Sequence, residues 1–131
     1  MRSFGRTVPF SERTWDELVS DWLAGLDHVP LGHMVAIAQS VIESGCASRL
    51  AATSSMYDLI VTERPVPEPP YTVVIVRSPV SVKPPAPGMV VIEHTSLTGR
   101  TDRIERPVAE AVALFWRFMF EKFGVWAALD R

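Results

Sequence analysis

The sequence predicts an α+β domain, and three observations carry that prediction. Apolar residues recur at helical spacing in two segments between positions 11 and 44, alternate at period two from Cys46 onward, and crowd a last helical stretch from Pro107 to Gly124. The expected arrangement is an N-terminal helical hairpin, a mostly antiparallel sheet of four to five strands, and a long aromatic C-terminal helix packed on that sheet.

Taken in chain order, residues 2 to 9 alternate as a short edge strand would, with Gly5 weakening the pattern. Ser11 is placed to cap a first helix, because Phe10 before it and Trp15 within it are spaced as a hydrophobic staple and Glu12 and Asp16 lie near the positive end of the dipole. That helix runs to about Leu26 and aims Trp15, Leu18, Val19, Trp22, Leu23 and Leu26 at a core. A turn at Asp27 to Pro30 leads to a second helix, Leu31 to Ser44, stopped by Gly45. Two apolar helices joined by so short a turn pack as a hairpin.

The strands follow. Ala47 to Thr53 and Met56 to Glu63 form a hairpin turning at Ser54 and Ser55, with Leu50 and Ala52 facing the same side as Tyr57, Leu59 and Val61. Tyr71 to Arg77 is apolar on both faces, the mark of a central strand covered on both sides. The proline-rich links Pro65 to Pro70 and Pro79 to Pro87 stiffen exposed connections.

The last hairpin permits a definite register. Gly99 suits the left-handed third position of a three-residue loop, Leu97 to Gly99. Ser96 then opposes Arg100, Thr95 opposes Thr101, His94 opposes Asp102, Glu93 opposes Arg103 and Ile92 opposes Ile104, each a sensible couple. The closing helix starts with Pro107 in its first turn and ends at Gly124. Between Phe115 and Phe123 it carries six large apolar side chains in nine residues, more than one sheet face needs to cover.

Composition narrows the function. At 131 residues and 47% hydrophobic the chain is one domain, with no repeat and no composition break. A net charge of −2 argues against a broad nucleic-acid surface, and no apolar run reaches the ~20 residues that span a bilayer. The single cysteine, Cys46, excludes an intrachain disulfide framework and a multi-thiolate zinc site, and a reducing, cytoplasmic compartment is expected. Eleven arginines against two lysines, with no asparagine, point to a GC-rich bacterial genome. Catalytic and cofactor motifs are absent from the sequence, so neither a cofactor nor a metal is expected.

The candidate binding residues are six. His94 and Asp102 share a face at the rim of the core, where a carboxylate would raise the imidazole pKa and orient one ring nitrogen. Arg100 and Arg103 belong to a short basic run that could hold a phosphate or carboxylate, with Arg77 expected nearby across the sheet, although such a charged hairpin also serves to discourage edge pairing. Trp116 and Phe120 exceed what the sheet can cover. His33, in a first helical turn, should be neutral, and Cys46 reads as a small buried residue.

These features favour a small non-catalytic protein-interaction module of immunity, chaperone or accessory type, binding a protein partner or itself as a homodimer through the aromatic helix. The alternative is a binder of a small apolar ligand. With an N-terminal strand, the order of elements is similar to the helix-grip arrangement of START and Bet v 1-like proteins. That resemblance implies a cavity between the C-terminal helix and the sheet, lined by Trp116 and Phe120; it is one of element order, and the long second helix and strand count depart from it.

Overall fold

The structure, a computed structural model, describes residues 5–126. Its elements are α1 (Trp15–Gly25), α2 (Gly32–Ser44), a 3-10 turn (Cys46–Arg49), β1 (Leu50–Ser55), β2 (Asp58–Glu63), β3 (Val73–Arg77), β4 (Met89–Thr95), β5 (Thr101–Pro107), a second 3-10 turn (Val108–Glu110) and α3 (Ala111–Phe123). The five strands form one antiparallel sheet in chain order, β1 to β5. The α+β class, the helical hairpin and the C-terminal helix on the sheet are as the sequence predicts.

All three helices contribute to one core with the alternate strand residues Leu50, Ala52, Leu59, Val61, Val74, Val76, Val90 and Ile92. The other face of the sheet has a smaller core, where Tyr71, Val73 and Ile60 are buried and Phe10 and Ile75 pack on them. β3 is therefore central and covered on both sides.

Helix α1 starts later than expected. Thr14, and not Ser11, is the cap: its hydroxyl accepts from the Glu17 N–H at 3.0 Å, and the Glu17 carboxylate accepts from the Thr14 N–H at 2.9 Å. The preceding segment has a tertiary task that no local signal reveals. Arg6 and Tyr71 exchange backbone hydrogen bonds, the Arg13 N–H donates to the Ala52 carbonyl, and Phe10 stands edge-on to Tyr71 instead of stapling to Trp15. The expected N-terminal strand is thus an isolated bridge at Arg6, and residues 2 to 4 lie outside the described residues. Both tryptophans of α1 are core, with their ring N–H groups donating to the carbonyls of Leu50 and Tyr57.

β1 begins at Leu50 because Cys46–Arg49 closes a 3-10 turn, and the hairpin turns at Met56 and Tyr57, not at Ser54 and Ser55. Both turn residues have positive φ, 52° and 67°. A two-residue hairpin loop demands that conformation, which usually selects glycine or asparagine. Here the surroundings hold it: the Trp22 indole donates to the Tyr57 carbonyl and the Ser78 hydroxyl to the Met56 carbonyl.

Pro107 is the last residue of β5, opposite Met89, and not part of the final helix, because the Val108 N–H continues the pairing to the Gly88 carbonyl. The end of α3 is as expected: Gly124 has φ 68°, and its N–H and that of Val125 return to Phe120 and Met119. The second cover for α3 is α2, whose Ser40 hydroxyl accepts from the Trp116 indole at 2.9 Å.

Candidate functional site

The predicted register of the last hairpin is the observed one, from Ile92 opposite Ile104 to Thr95 opposite Thr101, with Gly99 at φ 86°. The electrostatics differ from expectation. Lys122, in the last turn of α3, forms an ion pair with Asp102. That contact and the lysine's charge hold the exposed Asp102 carboxyl below its usual pKa. His94 is lowered, not raised: partial burial disfavours the imidazolium, Lys122 adds to this, and Asp102 only partly opposes it. The Asp102 carboxylate is thus turned to Lys122, and no described hydrogen bond joins it to the His94 ring.

The basic run is not gathered into one site. Arg100 and Arg103 are exposed on the hairpin, whereas Arg77 is turned to Asp58 and Glu93. Trp116 and Phe120 also part ways. Trp116 packs edge-on to Phe115 and bonds α2, while Phe120 is 55% exposed and meets Trp126, itself 56% exposed, edge to face at 5.2 Å between ring centroids. Trp126 is held at this point because the Cys46 thiol, otherwise buried, contacts its carbonyl at 3.5 Å.

Two features escaped the sequence. The first is a buried polar cluster where β2, β3 and β4 meet the loop after β3. Asp58 accepts from the Ser78 N–H at 2.7 Å, the Ser81 hydroxyl at 2.8 Å and the Arg77 guanidinium at 3.1 Å, and Arg77 also donates to Glu93. Its signal was available: Asp58 and Arg77 are charged residues bounding the apolar strands β2 and β3. The second is a cleft of about 510 Å³ between the start of α2 and the second proline-rich link, walled by Pro30, Pro79, Pro85, Pro87, Met89 and His33. His33 is neutral as expected, but the cause is burial; its Nε2 is enclosed without a hydrogen-bond partner.

Both histidines therefore make stability depend on pH with the same sign. Their native pKa values lie below the ordinary 6.5, so below that pH the unfolded chain takes up protons that the folded chain refuses. Stability is full above about pH 6.5 and falls as pH drops through the native pKa values. Urea midpoints measured from about pH 7.5 to about pH 5.5 should decline, and His33→Gln with His94→Gln should flatten the decline. A midpoint that rises on acidification is the contrary result.

The Ser78 and Ser81 hydroxyls are occupied by structural contacts, and among the described residues no group of three His, Cys, Asp or Glu side chains is placed to hold a metal ion. No helix among the described residues is long and apolar enough to cross a membrane. Set against protein-family models, curated proteins and solved structures, the chain matches none. What the fold and surface define is an α+β domain with an exposed aromatic pair and a proline-walled cleft.

Proposed function

We propose that the protein is a non-catalytic interaction module that binds another protein through the aromatic end of α3. The observation that carries this reading is the Phe120–Trp126 pair: two large rings, each more than half exposed, held against one another by the glycine cap of α3. The exposed part of such rings gives the monomer no burial energy, while rigid aromatic anchors are what protein interfaces use best.

The test is photo-crosslinking in cells from a benzoyl-phenylalanine placed at position 120. A discrete adduct that disappears on Trp126→Ala supports the module, provided that the variant melts within about 1 kcal/mol of the natural chain. Absence of an adduct, or an adduct unaffected by Trp126→Ala, refutes it.

A second reading, binding of a small apolar molecule, is favoured by the cleft at Pro30, Pro79 and Met89, whose volume lies in the range of small-molecule sites. Under this reading the ligand sits beside α2 and not beneath α3, where Phe115, Phe118 and Met119 already fill the space against the sheet.

A further inference from the structure

β5 is the last strand of the sheet, and the two edges of that sheet are treated differently. The β1 edge is met by the Arg13 N–H, which donates to Ala52. On β5, the bonds from Ser96 to the Arg100 carbonyl and from Val108 to the Gly88 carbonyl show that even-numbered residues point their backbone groups at β4. In a strand these directions alternate, so Thr101, Arg103 and Glu105 turn their N–H and C=O groups outward. The only protein group donating to them among the described contacts is the Arg106 guanidinium, at the Glu105 carbonyl.

Among the described residues no strand pairs with this seven-residue edge; such an edge is a template for another strand, and its side chains decide which one. From Asp102 to Arg106 the residues read Asp, Arg, Ile, Glu, Arg. Turned end for end about Ile104, the sequence of charges becomes its own complement: Asp102 meets Arg106, Arg103 meets Glu105, and Ile104 meets itself. No neighbouring centre does this. A two-fold at Arg103 sets arginine against arginine, and one at Asp102 or Glu105 sets carboxylate against carboxylate. The charges that repel a foreign strand therefore admit one particular strand.

We propose that β5 is a self-recognition edge on which a second copy of this chain pairs antiparallel, with the two-fold axis at Ile104, joining two sheets into one. The backbone agrees with that register. Arg103 and Glu105 both face outward, so each Arg103–Glu105 couple exchanges two N–H···O bonds. The Thr101 N–H reaches the Pro107 carbonyl of the second copy. Pro107 has no N–H to return, and the ladder ends there. Ile104, half-buried in the monomer, completes its cover against its twin across the close, non-hydrogen-bonded pair. In the dimer the Arg106 guanidinium leaves its own Glu105 carbonyl for Asp102 of the second copy. The contact is isologous, so it closes on two subunits. It uses β5 and not the Phe120–Trp126 pair, and stands whether or not that pair binds a partner.

Sedimentation velocity and native mass spectrometry across a concentration series test this. The natural chain should be a dimer whose dissociation constant rises with salt. Arg103→Glu alone and Glu105→Arg alone each place like charges opposite one another twice, and each should weaken the dimer on the order of tenfold or more. The double variant R103E/E105R exchanges the charges and should restore it. Glu105 also accepts the Ala86 N–H and Asp102 pairs with Lys122 of its own chain, so the charge exchange is made at Arg103 and Glu105, with circular dichroism and urea melts confirming the fold of each variant. A natural chain that stays monomeric, a dimer indifferent to the single reversals, or a double exchange that fails to restore it overturns the proposal. So does a dimer lost on Phe120→Ala but kept in Arg103→Glu.

Discussion

Arg77→Ala should cost about 3 to 5 kcal/mol of stability, the range for removing one partner from a buried charge cluster. Asp58 and Glu93 are 4% and 7% exposed, and Arg77 is the cation that faces both. Without it two carboxylates remain in a poorly hydrated site at the junction of β2, β3 and β4, and the loop Ser78 to Ser81 loses part of its anchor. Removing the charges together should cost much less than the sum of the separate losses, so Arg77→Met combined with Asp58→Asn and Glu93→Gln is the informative companion. Urea denaturation gives both numbers. A loss below about 1 kcal/mol for Arg77→Ala would mean that water, and not Arg77, neutralises the cluster.

Phe115→Ala should also cost about 3 to 5 kcal/mol, whereas Phe120→Ala, five residues further along the same helix, should cost less than about 1 kcal/mol. Phe115 is fully buried among residues of α2, α3 and the sheet; Phe120 stands in solvent against Trp126. Phe123, half-buried at the edge of the core, should fall between them. The difference between Phe115 and Phe120, read by thermal and urea melts, measures how much of the aromatic surplus of α3 serves the monomer. Equal losses for the two would place Phe120 in the core and remove the basis for an aromatic docking end.

Much of the molecule was legible in particular residues. Gly45, Gly99 and Gly124 all take the left-handed conformations expected of them, because a helix stop or a three-residue hairpin loop leaves few alternatives to glycine. The β4–β5 register could be read pair by pair, since a one-residue slip would put Ile92 and Ile104 on the wrong face. The errors have a common origin. Ser11 looked like a helix cap and Pro107 like a first helical turn because both satisfy local rules, but the backbone on either side of each was already committed to the sheet. Met56 and Tyr57 gave no turn signal because distant groups, Trp22 and Ser78, hold their unfavourable dihedrals.

The candidate site was less legible for a related reason. Opposing positions for His94 and Asp102 follow from the register, but the sign of the imidazole shift depended on Lys122, which the return of α3 over the hairpin places beside them. Trp116 and Phe120 were equal in the sequence and became unlike only when α2 took one of them. Hydrophobic periodicity, turn residues and strand pairing act over a few positions, so the sequence by itself determined the α+β class, the element order, the last register and the aromatic character of α3. Which face of that helix is covered, where charges are buried, and which sheet edge is left open depend on groups tens of residues apart, and only the tertiary structure decided them. The β5 edge combines the two: its self-complementary charges are written in five consecutive residues, and among the described residues no further strand pairs with it.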